Sequence, residues 1–129
     1  ELYDIVALYE TWQISEHEFE GFLEGFTAYE SFREQSKGCK RGSGGVLVLI
    51  RESIVKTNFI KRTFIHNCVV LYINKELVPC LKDTVVVFTY VSPDRSTIYS
   101  NDNDNGIDIL NNKLASIVSD LPAVNLFIA

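Results

Sequence analysis

The chain has 129 residues, 47% of them hydrophobic, which is the length of one ordinary domain with enough apolar side chains for a core of its own. Its net charge of -5 at pH 7 argues against tight nonspecific binding of nucleic acid on a broad basic surface. An acidic nuclease is still compatible with this charge, because a bound divalent cation can supply positive charge at a phosphate.

The cysteine pattern and the length of the apolar runs indicate where in the cell the protein is expected. Cys39, Cys68 and Cys80 are an odd number without a C-x-x-C spacing, which disfavours a disulfide framework and a zinc site. We therefore expect a reducing, intracellular location, in the nucleus or the cytoplasm. No apolar run approaches the ~20 residues of a bilayer span, so no membrane partner is expected. The chain starts without methionine and stops in an apolar run, which favours a piece of a longer protein.

Six segments rich in Val, Ile, Tyr and Phe predict β-strands, and several of them are apolar on both faces. Continuous hydrophobicity is typical of strands covered on both sides, as in layered α/β folds and sandwiches. From residue 68 to 91 the order strand, polar turn, strand predicts an antiparallel meander. The predicted strands are residues 5–9, 27–32, 45–51, 68–74, 85–91 and 125–129.

Two segments predict helices. Ser15 and Glu18 form a capping-box pair ahead of an apolar stripe that includes Phe19 and Phe22, which predicts a helix ending near Gly25. A second apolar stripe predicts a helix over residues 107–121, with Asp104 or Asn105 as its cap and Pro122 as its stop.

Two loop patterns resemble ligand-binding motifs only in part. Residues 101–106 suggest a calcium loop, but Asn112 stands where the bidentate glutamate belongs, so we interpret them as a helix cap. The glycine stretch at residues 42–45 precedes a strand and completes no phosphate-binding motif, so we interpret it as a flexible turn.

Neither histidine has the neighbouring residues that catalysis or zinc binding requires. His17 starts an H-E-x-x-H pattern, but Gly21 occupies the second ligand position. His66 begins a strand and has no nucleophile motif near it. We interpret His17 as a solvent-facing helix residue and assign His66 no catalytic role.

Glu10 is the strongest chemical candidate, because it directly follows residues 5–9, which the sequence predicts to be a buried strand. A carboxylate there is costly unless it meets water, a hydrogen-bond partner or a cation. In open α/β sheets the carboxyl ends of strands form the ligand crevice, which favours a Mg²⁺ site at Glu10. The alternative is a structural acid at a strand end, which is common.

Tyr90 is the second candidate, again at the end of an apolar strand. Its phenol could reach a bound phosphate. The alternative is an aromatic ring packed against the turn that Pro93 and Asp94 set up.

The order of these motifs resembles the endonuclease/exonuclease/phosphatase family, and most of all the endonuclease domains of non-LTR retrotransposons. Residues 4–12, D-I-V-A-L-Y-E-T-W, are similar to the strand that ends in the metal-binding glutamate of that group. Tyr29, Phe32 and Arg33 are similar to its aromatic stretch, and residues 41–46, R-G-S-G-G-V, to the turn before its next strand. Residues 90–93, Y-V-S-P, resemble its Y-x-P-P, with serine in the third position.

The resemblance implies an α/β fold, a DNase I-like sandwich of two packed mixed β-sheets with outer helices, present as a partial domain over residues 1–129. It implies that Glu10 binds Mg²⁺ or Mn²⁺ and that Tyr90 orients the scissile phosphate or the attacking water. Arg41 and Arg51 receive no assured role. The family's G-D-F-N motif would follow Ala129, so this piece alone is expected to be nearly inactive.

The implied function is a divalent-metal phosphodiesterase that nicks DNA, with a reverse transcriptase in the same polypeptide. Two alternatives stay open. One is a phosphatase or sphingomyelinase-like member of the same fold. The other is a degenerate, non-catalytic remnant or binding module.

Overall fold

The structure is a computed structural model that describes residues 3–13, 15, 17–31, 44–65, 68–78, 82–92, 105–119 and 125–129. The chain divides into two compact units, one of Glu1–Tyr90 with Val124–Ala129 and the other of Val91–Ala123. In chain order the elements are β1 (Ile5–Tyr9), β2 (Phe26–Ser31), β3 (Val46–Arg51), α1 (Glu52–Val55), β4 (Ile60–Ile65), β5 (Cys68–Ile73), β6 (Thr84–Thr89), α2 (Gly106–Ser119) and β7 (Asn125–Ile128).

The first unit contains two sheets. One has three strands in the order β1-β3-β2 and the other four in the order β4-β5-β6-β7. All described pairings are antiparallel except β6 with β7, which is parallel. The α/β class and the antiparallel meander of β5 and β6 are confirmed. The expectation that both sheets are mixed is wrong, because the described three-stranded sheet is wholly antiparallel.

The centre of the first unit is β3, whose residues Val46 to Ile50 are at most 2% exposed. Val46, Val48 and Ile50 share one core with side chains of the second sheet, including Val69 and Leu71 of β5. The alternate side chains, Leu47 and Leu49, point to the opposite face and are buried as well. The prediction of strands covered on both sides is therefore confirmed for β3, and each such side chain contributes about 1.5–3 kcal/mol when fully buried.

The turn between β5 and β6 is closed by Asp83. Its carboxylate accepts hydrogen bonds from the Tyr72 hydroxyl and from the Lys75 backbone N–H, both at 2.9 Å. The Lys75 N–H and the Tyr72 hydroxyl lower the pKa of Asp83 below its ordinary value of 3.8. The same contact raises the pKa of Tyr72 above 10.0, because the hydrogen bond to Asp83 favours the neutral phenol.

The helix predicted to end near Gly25 is wrong, because residues 17–25 form turns and bends instead. The physical reason is Glu30 on β2. Its carboxylate accepts from the backbone N–H groups of His17 and Phe19, each at 3.0 Å, and from Gln13 Nε2 at 2.5 Å. His17 also has a φ of 61°, which interrupts a right-handed helix.

The second predicted helix is confirmed as α2, and its cap is Asn105, whose Oδ1 accepts from the Ile107 N–H at 2.8 Å. The short helix α1 and the strand β4 were not predicted. Lys61, Arg62 and Thr63 within β4 give that strand a polar sequence, which hides it from a search for apolar runs.

Candidate functional site

The turn after β1 places Glu10, and it does so with an unusual backbone. Glu10 has a φ of 56° and Trp12 a φ of 52°, a conformation that costs most side chains about 1–2 kcal/mol each. Because β1 is an edge strand of an antiparallel sheet, the strand-end crevice of parallel sheets does not explain this position. The backbone turn itself aims the carboxylate.

Two buried glycines hold this turn. The Glu10 N–H donates to the Gly45 carbonyl and the Trp12 N–H to the Gly44 carbonyl, both at 2.9 Å. These bonds extend the β1–β3 ladder beyond its last pair, Tyr9 with Val46. Gly44 and Gly45 are therefore a buried, hydrogen-bonded part of the sheet edge rather than the flexible turn expected for them.

Tyr90 reaches Glu10 from the other sheet. It directly follows β6, its ring packs against the shared core, and its hydroxyl donates to Glu10 Oε1 at 2.6 Å. This distance is typical of a strong O–H···O⁻ bond to a carboxylate. The structure thus joins the two predicted site residues across 80 positions of sequence.

The pair lies at the surface. Glu10 is exposed and Tyr90 half-buried, and the Trp12 side chain is 56% exposed. In the described part of the chain the only hydrogen bond of the Glu10 carboxylate is the one from Tyr90 to Oε1. Oε2 is therefore left for a ligand from solution.

The exposed carboxylate of Glu10 is a donor that suits a hard divalent cation. Mg²⁺ is bound by one or two carboxylates and keeps several water or phosphate oxygens, so one water-exposed carboxylate oxygen is a suitable first ligand. The described residues contain no group of three or more His, Cys, Asp or Glu side chains that could hold a metal. They thus supply one carboxylate to such an ion.

The two other candidate residues that the structure describes, His17 and Arg51, contact groups other than Glu10 and Tyr90. His17 lies in an exposed turn, with Nδ1 3.6 Å from the Glu20 carboxylate. Arg51 links the end of β3 to the start of β1, because its Nε donates to Asp4 at 2.8 Å. Its guanidinium also lies 5.1 Å from the centre of the Phe26 ring of β2. Arg41, His66, Pro93, the glycine stretch before residue 44 and the loop at residues 101–104 lie outside the described residues.

Sequence reasoning missed Thr11, which lies between Glu10 and Trp12. Its Oγ1 is buried and has no hydrogen-bond partner among the residues that the structure describes. A Cβ added to Gly45 would lie 2.5 Å from this oxygen. The signal in the sequence is a glycine pair ahead of β3, but its meaning depends on the β1–β3 register.

Comparison with protein-family models, with curated proteins and with solved structures found no match in any of the three. Neither helix in the described ranges has the length and hydrophobicity that crossing a bilayer requires.

Proposed function

We propose that this chain is part of a divalent-metal phosphodiesterase of the endonuclease/exonuclease/phosphatase family, the DNA-nicking endonuclease domain of a non-LTR retrotransposon protein. In this proposal the two sheets are a partial DNase I-like sandwich with its helices outside. Glu10 binds Mg²⁺ or Mn²⁺, and DNA is the substrate. A reverse transcriptase is expected in the same polypeptide.

The Glu10–Tyr90 hydrogen bond carries the proposal. The motif order assigned one metal ligand and one phosphate-orienting phenol to residues that lie 80 positions apart, and the structure brings their oxygens to 2.6 Å. A structural acid at a strand end requires no tyrosine from a second sheet. The exposed position of the pair also suits a large substrate that approaches from solution.

Glu10 and Tyr90 have different roles in this proposal. Glu10 Oε2 is oriented by the bond that Tyr90 makes to Oε1, so the carboxylate presents one oxygen to a cation. A bound Mg²⁺ or Mn²⁺ supplies positive charge for phosphate oxygens and for an attacking water. The Tyr90 hydroxyl is a donor that can turn from Glu10 to a phosphate oxygen when substrate is present.

The indole of Trp12 favours a polynucleotide over a small or lipid phosphate ester. It is 56% exposed and lies two residues after Glu10. Aromatic rings at such positions stack on bases, and each stacked base contributes about 1–3 kcal/mol. With a net charge of -5, the chain depends on a cation and on such stacking to hold DNA.

Binding of Mn²⁺ to the 129-residue chain, followed by electron paramagnetic resonance, tests the assigned role of Glu10. We expect Glu10→Gln to weaken Mn²⁺ binding by about tenfold or more, because the anionic ligand is lost. Glu24→Gln is the matched control, since Glu24 is an exposed acid in the turns before β2. Equal affinities in the two variants would remove Glu10 from the metal site.

Plasmid nicking by a longer polypeptide that continues past Ala129 tests the activity. Glu10→Gln and Tyr90→Phe should both lower nicking while Glu24→Gln does not, because each of the first two removes a group that acts on the phosphate. The non-catalytic alternative predicts DNA binding without nicking in every variant. It draws support from the single carboxylate that the described residues bring to the site.

A further inference from the structure

A side chain at position 45 would clash with the hydroxyl of Thr11. A Cβ on Gly45 would meet Thr11 Oγ1 at 2.5 Å, closer than Cβ atoms approach other atoms, and Gly45 has a φ of 99°. Thr11 lies between the two residues whose N–H groups bond to Gly45 and Gly44. Glycine at position 45 therefore allows the Thr11 hydroxyl to lie against the start of β3.

This close approach is accompanied by strained backbone and an unsatisfied polar atom. Glu10 and Trp12 both have positive φ, and the Thr11 hydroxyl is buried without a partner among the described residues. Each of these features costs stability. Strained backbone that its surroundings hold in place occurs preferentially at functional sites.

The strain has one evident product, the position of the Glu10 carboxylate. Glu10 shares its peptide units with Tyr9 of β1 and with Thr11, so a shift of Thr11 away from Gly45 moves the Glu10 backbone with it. The Tyr90 hydroxyl comes from the other sheet and does not follow this shift. An outward movement of Thr11 by a few tenths of an ångström would lengthen the 2.6 Å bond and redirect Oε2.

We propose that Gly45 and Thr11 are positioning residues, which set the Glu10 carboxylate against Tyr90 by fitting closely against each other. The proposal rests on the proposed function for the purpose of this device, since the carboxylate is positioned for a cation. The geometric part, that these two residues control the Glu10–Tyr90 contact, does not depend on it.

Three variants separate positioning from stability. Gly45→Ala adds the clashing Cβ. Gly25→Ala is the matched control, because Gly25 also has a positive φ, 79°, but nothing lies within 4 Å of an added Cβ. Thr11→Ala with Gly45→Ala removes the oxygen that clashes and places a methyl group next to the vacated volume. It should relieve the clash and keep only the φ strain of alanine, which Gly25→Ala also has.

Two readouts need no metal. Trp12 is the only tryptophan of the chain, so its emission reports on this turn alone. We expect Gly45→Ala to shift the emission of the folded protein and Gly25→Ala to leave it unchanged. A double-mutant cycle with Glu10→Gln and Tyr90→Phe measures the coupling of the pair, which is the factor by which one substitution changes the effect of the other on the unfolding equilibrium constant. We expect a factor of about five in the parent. In the Gly45→Ala background this coupling should fall to about one, which means no coupling.

The third readout is Mn²⁺ affinity, which should fall about tenfold in Gly45→Ala, change less than about twofold in Gly25→Ala and recover in the double variant. Equal effects of Gly45→Ala and Gly25→Ala on emission and coupling would overturn the proposal. A parent chain that binds no Mn²⁺ would count against the proposed function, while emission and coupling would still decide the positioning role.

If Gly45→Ala does not fold, Thr11→Ala can be used in its place, because this substitution adds no atoms. It removes the surface against which Gly45 fits, so we expect weaker Glu10–Tyr90 coupling and a shifted Trp12 emission. Emission and coupling identical to the parent would overturn the proposal.

Discussion

Glu30 is the residue whose replacement tests the fold most sharply, because its carboxylate holds the segment that leads from the candidate site back into the sheet. Its three donors are Gln13 Nε2 and the N–H groups of His17 and Phe19. Glu30→Gln keeps the size of the side chain and one acceptor oxygen. It replaces the other oxygen with an NH₂ group that faces a donor.

The expected loss follows from the number of contacts. A hydrogen bond to a charged group contributes about 1.5–3 kcal/mol, whereas a neutral one contributes about 0.5–1.5 kcal/mol. Glu30→Gln removes at least one charged bond and converts the others to neutral bonds, while solvent near His17 weakens the effect. We expect a loss of about 2–4 kcal/mol, a large part of the 5–15 kcal/mol that stabilises an ordinary domain.

Urea unfolding measures this loss as a lower midpoint at an unchanged m-value. Glu24→Gln, in the same segment and without a comparable set of contacts, should change the free energy of unfolding by less than about 0.5 kcal/mol. If the two variants unfold at the same urea concentration, Glu30 does not organise the 17–25 turns, and another cause must account for the missing helix.

Two further predictions concern the second sheet. The lowered pKa of Asp83 means that its contribution to stability is complete above its unfolded pKa, near 3.8, and is lost as the pH falls through the folded value. Asp83→Asn should therefore be less stable than the parent at neutral pH, and the difference in urea midpoint should shrink below pH 3.8. A difference that stays constant with pH would contradict this assignment. Leu71→Ala, at a position with 0% exposure in the shared core, should lower the free energy of unfolding by about 2–5 kcal/mol, and a loss below about 1 kcal/mol would mean that the two sheets do not close over this side chain.

Strands β1, β3 and β5 were predictable because their own side chains determine them. The predicted bounds of β1 agree with the structure, and those of β3 and β5 differ by one residue at one end. Each has a run of β-branched or large apolar residues long enough to outweigh local alternatives. The cap of α2 was predictable for a similar reason, since Asn105 acts on an N–H only two residues away.

The first predicted helix failed because its competitor is distant in sequence. Nothing within residues 15–25 indicates that Glu30, on the following strand, takes the N–H groups of His17 and Phe19. A capping box is a local preference of about 1 kcal/mol, and three hydrogen bonds from another element outweigh it.

The candidate site shows the same limit. Motif order singled out Glu10 and Tyr90, but only sheet packing brings them into contact. The role of the glycines required the pairing of Tyr9 with Val46, which places Gly45 opposite Glu10. Residue types and spacing carry no information on that register, since it is set by which faces of β1 and β3 are buried together.

The bond between Glu10 and Tyr90 also makes ligand binding a property of the whole first unit. Glu10 follows β1 and Tyr90 follows β6, so the pair forms only in molecules in which β1 has paired with β3 and β6 has paired with β5. A ligand that requires both side chains binds the folded chain and not the unfolded one. By mass action it would stabilise the entire unit, by about 2.7 kcal/mol at a concentration one hundred times its dissociation constant. Occupancy at one surface turn would thus be measurable as resistance of the distant strands to unfolding.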